Sequence, residues 1–216
     1  RLLEDGSLYR DLCRQAAVRS MRTWSQYAGQ FLDILKACGG PDARQGPPAS
    51  EQSFDVEKLF YDGCLCSNWQ MNHAERMALM AILYHLRPRC AVEVGTFKGG
   101  SLSLLARHVP VIFSIDIEPM PPSVRVFPNV SFLTGSSHEL LPTLLAELRE
   151  QRLDPDLVLI DADHSREGVR RDLQSVMEIP PAKPLCVIMH DSMNPECRAG
   201  MLDIDWQGSP HVHFVD

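Results

Sequence analysis

The sequence predicts an α/β protein: a doubly wound, mainly parallel sheet with helices on both faces, preceded by a helical N-terminal extension. Three observations predict it. Short apolar runs recur between Cys90 and Met189, helical patterns separate most of them, and the preceding residues read as helix and loop. Strands apolar at successive positions are buried on both faces, and a parallel strand needs a long crossover, usually a helix, to bring the chain back.

Residues from about Leu8 to Leu35 read as helix, with Trp24, Ala28, Phe31 and Leu35 on one face at helical spacing. The Gly/Pro-rich run Cys38–Ser50 breaks all periodicity and reads as a linker or mobile loop, followed by a short helix near Asp55–Tyr61. Asn72 with Glu75 three residues later is a capping-box pattern that opens a helix reaching about Leu86. Strands are then expected at Cys90–Val94, Val111–Ile115, Val130–Leu133, Leu157–Ile160 and Leu185–Met189. Helices are expected near Ser101–Arg107, His138–Leu148 and Glu167–Met177. No internal repeat is visible. The division that follows is a helical extension over 1–70 and a catalytic-type domain over 71–216. The run from His211 to Asp216 reads as a strand that stops abruptly. With Arg1 rather than Met at the start, the expectation is that pieces are missing at both ends.

At 216 residues the chain is long enough for a full core, and its 44 % apolar content argues against disorder. No run approaches the roughly 20 apolar residues that span a bilayer, and no signal peptide is visible. A net charge of −7, with acids spread along the chain, disfavours a nucleic-acid surface, which needs clustered Lys and Arg. The seven cysteines form no Cys-x-x-Cys pair, and Cys90 and Cys186 sit in strand-like runs as buried hydrophobes. Cys64-Leu-Cys66 lacks matching metal ligands. A reducing, cytoplasmic setting is expected, and a homo-oligomer is compatible with the sequence.

The first strand ends in Glu93-Val-Gly95-Thr96-Phe97-Lys-Gly99-Gly100-Ser101 and runs into a helix. Glycines at such a turn let a ligand approach the backbone, and the helix start offers free N–H groups. A P-loop needs Lys and Ser/Thr after its last glycine, whereas Gly100 is followed by Ser101-Leu102. A dinucleotide fingerprint needs glycine where Phe97 stands. A cofactor without phosphates, S-adenosylmethionine, remains. Asp116 closes the second strand about twenty residues past Gly95, where an acid can bind ribose hydroxyls. Gly135-Ser136-Ser137-His138 closes the third strand, where polar groups suit an adenine edge.

Residues from about Asn72 to Asn194 resemble the class I, Rossmann-like methyltransferases, especially small-molecule O-methyltransferases of the catechol and caffeoyl-CoA type. Closer still are bacterial relatives with Asp-x-Asp-His-Ser and His-Asp-Ser/Thr motifs, often associated with sugar or natural-product methylation. The stretches that carry this are Val92-Glu93-Val-Gly95-Thr96, Ile115-Asp116-Ile117, Gly135 through Pro142, Leu159-Ile-Asp161-Ala-Asp163-His164-Ser165 and Met189-His190-Asp191-Ser192. The resemblance implies a sheet ordered third, second, first, fourth, fifth, seventh, sixth. It implies a cofactor site of Glu93, Gly95, Thr96, Phe97, Ser101, Asp116, Ile117, Gly135, Ser136, Ser137, His138 and Asp161. Glu93 and Gly95 would lie near the methionine moiety, Ser101 near its carboxylate, Asp116 on the ribose, and Ser137 with His138 by the adenine.

Methyl transfer from a sulfonium requires alignment and a nucleophilic acceptor oxygen, activated by a base or by a divalent metal. Asp161 and His190-Asp191 end the fourth and fifth strands, and such ends face the ligand crevice of an open parallel sheet. By the resemblance Asp161 and Asp191 ligate a divalent ion. The family's following asparagine is Ser192 here, and His190 is the substitute ligand, which suits Mn, Fe or Zn as well as Mg. His164 stands where catechol-type enzymes carry a lysine base, and its ordinary pKa of about 6.5 fits proton abstraction near neutrality. Asp163 reads as a capping or supporting group. The function expected is O-methylation of a small hydroxylated acceptor, a sugar or natural product before a catechol. The rivals are a non-catalytic S-adenosylmethionine-binding protein and, against the evidence of Phe97, a nicotinamide-dependent oxidoreductase. The Asn-Pro-Pro-Tyr type of motif for DNA amino methylation is not supplied by Met193-Asn-Pro195-Glu.

Overall fold

The computed structural model describes residues 69–179, 182–212 and 215. The expected Leu8–Leu35 helix, the Cys38–Ser50 loop, the Asp55–Tyr61 helix and the Cys64–Cys66 pair lie outside the described residues.

Helix α1, His73–Leu86, starts on the capping box the sequence announces. Asn72 accepts from the Glu75 N–H while the Glu75 carboxylate accepts from the Asn72 N–H. The remaining elements are β1 (Cys90–Val94), α2 (Gly100–His108), β2 (Val111–Asp116), β3 (Val130–Thr134), α3 (Ser137–Glu150), β4 (Leu157–Ile160), α4 (Arg166–Glu178), β5 (Cys186–Met189) and α5 (Pro195–Leu202). The five strands form one parallel sheet in the order β3-β2-β1-β4-β5. This is the first five places of the order the family resemblance implies.

Alternation along the strands splits the core into two layers. Ala91, Ile112, Leu157 and Leu159 pack with Leu79, Met80 and Leu83 of α1 and Leu102, Leu104 and Leu105 of α2. Cys90, Val92, Val94, Val158 and Ile160 pack with leucines of α3, with Val169, Leu173 and Val176 of α4, and with Cys197 of α5. Helices therefore cover both faces, and all five residues of central β1 are buried. At the sheet's outer places β3 and β5 are only partly covered. Burial pushes the thiols of Cys90 and Cys186 up to about 11, which leaves both as inert packing groups.

Two differences from the sequence expectations stand out. Helix α5 was not expected, although its signals are present: Asn194 accepts from the Glu196 N–H at 3.0 Å, and Pro195 occupies the first turn. The terminal strand expected from His211 is absent over His211 and Val212, which are turn and irregular backbone. Asp205 holds the N–H of Gly208, and Ser209 holds that of His211, so local turn bonds take the donors a strand would need.

Candidate active site

The sheet ladder continues past the ends of the strands, and this places the site. Gly95 after β1 donates to Ile115 of β2 (2.8 Å), and Gly135 after β3 donates to Asp116 (2.9 Å). Asp161 after β4 donates to Val94 (2.7 Å), and His190 after β5 donates to Ile160 (3.0 Å). Backbone pairing thus fixes the first residue beyond four strands along one edge. Gly95 has φ +92°, and a Cβ there would lie 1.9 Å from the Asp161 carbonyl oxygen, so only glycine lets the two loops meet. The crevice above them holds about 530 Å³.

Its cofactor half is organised around Asp116. One carboxylate oxygen accepts from the N–H groups of Thr96 (2.9 Å) and Phe97 (2.8 Å), and the other accepts from Glu118 (2.9 Å). Asp116 therefore clamps the glycine loop, with Phe97 in the left-handed region at φ 47°. Three of roughly four acceptor positions on the carboxylate are in use, which leaves room for a hydroxyl. Gly95, Phe97, Asp116, Ile117, Gly135, Ser137 and Asp161 line the crevice.

Glu93, Thr96, Ser101, Ser136 and His138 are not among the residues that line the crevice. Glu93 is fully buried and accepts from Ser101 Oγ at 2.6 Å and Ser114 Oγ at 3.4 Å. Burial outweighs these bonds and pushes its pKa up to about 8, so the carboxyl is largely neutral at pH 7. Thr96 Oγ1 bonds Ser114 Oγ. Ser136 caps α3 through its backbone alone. His138 Nε2 lies 3.7 Å from Asp172, a buried acid of α4 whose pKa burial raises.

The chemistry half gathers four side chains. His190 Nδ1 is 3.1 Å from Asp161 Oδ1 and 3.5 Å from Asp191 Oδ1. His164 Nε2 is 2.9 Å from Asp191 Oδ2 and 3.4 Å from Asp161 Oδ1. Asp191 reaches inward from a left-handed backbone at φ 54°, a conformation that Asp tolerates better than most side chains. The hydrogen bond to Asp161, helped by Glu75 and Asp191, raises the His190 pKa to about 9 despite partial burial. One ligand atom from each of Asp161, His190 and Asp191 falls within 4.8 Å of the others. Two carboxylates and an imidazole at that spacing fit a divalent ion of the Mg, Mn or Zn kind. Asp163 accepts from the Ser165 N–H at 2.9 Å, which holds its carboxyl below the usual range and shapes the turn into α4. Ser192 is exposed beside Asp191.

Residues 92–193 match the family model described as "Methyltransferase domain". This stretch runs from β1 through β5 and contains every crevice residue named above except those before β1. That part of the chain is similar to a methyltransferase domain. No curated protein shows significant similarity to the chain. Among solved structures it is similar to an O-methyltransferase from Bacillus cereus in complex with SAH (16% identity, 57% of this chain and 60% of that one, TM-score 0.41). It is also similar to a TDP-rhamnose 3'-O-methyltransferase of calicheamicin biosynthesis (16%, 85% and 85%, 0.44). A third is the mycinamycin-pathway methyltransferase MycE with Mg, SAH and mycinamycin VI (17%, 87% and 54%, 0.48). The chain thus spans 60% of the Bacillus cereus enzyme's length.

One residue that lines the crevice and one that reaches His190 escaped the sequence reading of the site. Gln70, ahead of α1, lines it with nothing in its surroundings to single it out. Glu75 reaches His190 Nε2 at 3.3 Å. Its capping-box role already accounted for a glutamate at that position. No helix among the described residues is long and apolar enough to cross a membrane.

Proposed function

We propose that this chain is an S-adenosylmethionine-dependent O-methyltransferase of a small hydroxylated molecule, a sugar or natural product before a catechol. The observation that carries the reading is the convergence of Asp161, His164, His190 and Asp191 at the ends of β4 and β5, in the same crevice as Gly95 and Asp116. S-adenosylmethionine, when bound, supplies a methyl group on a sulfonium. Asp116 and the loops at Gly95 and Gly135 would hold it, with Ser137 at the adenine side. A divalent ion, when held by Asp161, His190 and Asp191, would lower the pKa of an acceptor hydroxyl. His164, 42 % exposed and facing the crevice acids, would take the hydroxyl proton as the acceptor oxygen bonds the methyl carbon and the carbon–sulfur bond breaks, with S-adenosylhomocysteine as the leaving group.

The test is turnover by the full chain with S-adenosylmethionine and a panel of nucleotide sugars, glycosides and catechols. Formation of the demethylated cofactor and of an acceptor one methyl heavier, lost on chelation and restored by Mg or Mn, supports the reading. Binding of S-adenosylmethionine with no transfer to any hydroxyl in the panel favours a non-catalytic binder. Tighter binding of NAD than of S-adenosylmethionine overturns both.

A further inference from the structure

We propose that Glu75 is a positioning residue for the chemistry site, its carboxylate holding His190 with its Nδ1 edge toward Asp161 and Asp191. This rests on the metal-assisted reading given above and adds a residue that lies outside the matched methyltransferase domain.

The geometry links two devices that are usually separate. Glu75 Oε2 accepts from the Asn72 N–H at 2.7 Å, and the same oxygen lies 3.3 Å from His190 Nε2. Asn72 Oδ1 accepts in turn from the Glu75 N–H at 3.1 Å. His190 is anchored at its own backbone by Ile160, and its side chain is only 12 % exposed. Its ring nitrogens are thereby divided: Nε2 faces the glutamate, and Nδ1 faces the two aspartates.

An imidazole binds a cation through an unprotonated nitrogen, and the other nitrogen must then carry the proton. A carboxylate on that second nitrogen fixes both ring orientation and tautomer, and losing such a partner typically costs about 10- to 100-fold in metal affinity. Glu75 stands where that partner belongs. Of the groups facing His190, Asp161 and Asp191 come from the ends of β4 and β5, and Glu75 comes from α1. The Glu75 carboxylate therefore ties the helix start to the ends of two strands.

The experiment measures Mn binding to the full chain by electron paramagnetic resonance, for wild type, Glu75→Ala, Glu75→Gln and Asn72→Ala. Glu75→Ala is expected to lose about 10- to 100-fold in affinity. Glu75→Gln, whose carbonyl oxygen still accepts from Nε2–H, should recover much of it. Asn72→Ala removes the side-chain cap but not the carboxylate, and should bind as wild type. In the Mg-loaded wild type, long-range nitrogen–proton spectra should find the His190 proton on Nε2. Equal losses in Asn72→Ala and Glu75→Ala would reduce Glu75 to a helix cap and overturn the proposal, as would an unchanged Glu75→Ala or a proton on Nδ1. A wild type that binds no Mn overturns the metal reading itself, and the wild-type arm tells that failure from failure of Glu75 alone.

Discussion

His164 Nε2 lies 2.9 Å from Asp191 Oδ2, so the candidate base and a candidate metal ligand are already in hydrogen-bond contact. The two cannot act independently. Both neighbours of Nε2 are carboxylate oxygens, which only accept, so Nε2 carries a proton in this contact and must lose both proton and contact before it takes a proton from an incoming hydroxyl. His164 also sits 3.4 Å from Asp161, so either acid could orient it. On the proposed function, activation is divided between a base and an ion, and substitution can apportion it.

With His164 as the base, His164→Ala should lower kcat by roughly 100- to 10,000-fold while cofactor affinity stays near wild type. With the cation carrying most of the activation, that loss should be far smaller and Asp161→Ala should be the more damaging change. Steady-state kinetics with S-adenosylhomocysteine binding measured in parallel separates the two. A substantial loss from both changes, as expected here, means that base and ion act together.

Metal binding should release a proton. The His190 pKa, raised to about 9 chiefly by its hydrogen bond to Asp161, keeps the ring an imidazolium at neutral pH. An ion at Nδ1 must displace that proton, so between about pH 7 and 9 affinity should rise up to tenfold per unit and level off above. Calorimetry in buffers of different ionisation enthalpy counts the protons released. A value near zero at pH 7.5 would remove His190 from the ligand set.

Much of this was legible in the sequence because it rests on local chemistry. The Asn72/Glu75 cap, the five strand runs and the Gly95 turn each follow from a side-chain or backbone preference that needs no partner far away. The convergence of Asp161, His164, His190 and Asp191 was legible as well, since parallel strands place their C-terminal ends together. What escaped depends on direction rather than position. Ser101 and Glu93 belong to the cofactor-loop motif, yet their side chains point to each other beneath it. His138 follows the third strand but stands beside Asp172 of α4. Glu75 gave no sign of a second partner, because His190 is 115 residues away in the chain.

Glu93 makes stability depend on pH in a direction opposite to that of a paired acid. Its folded pKa, raised by burial to about 8, exceeds the ordinary carboxylate value of about 4.3. Between these two values the unfolded chain binds fewer protons, so stability from this group falls as pH rises and is fully present only below about 4.3. Glu93→Gln, which keeps the shape without the charge, should melt higher than wild type near pH 8 and lose that advantage toward pH 5. Thermal melts across that range check it, and an advantage that grows at low pH would reverse the assignment.

Asp116 is the sharpest test of the cofactor half, because it has two roles that predict different results. As a clamp it holds the N–H groups of Thr96 and Phe97, and as a ligand it would hold a ribose hydroxyl. Either role makes Asp116→Ala weaken S-adenosylhomocysteine binding, by about 1.5–3 kcal/mol for bonds to a charged acceptor. A cycle with the 2'-deoxy analogue distinguishes them. If Asp116 binds the ribose, wild type should prefer the natural cofactor product over the deoxy form, and the variant should lose most of that preference. If Asp116 only clamps the loop, both ligands should weaken equally and the preference should survive. The structure leaves an acceptor position open on Oδ1 beside the single bond from Glu118, and the crevice reaches that carboxylate. Loss of the preference in Asp116→Ala is therefore the expected outcome.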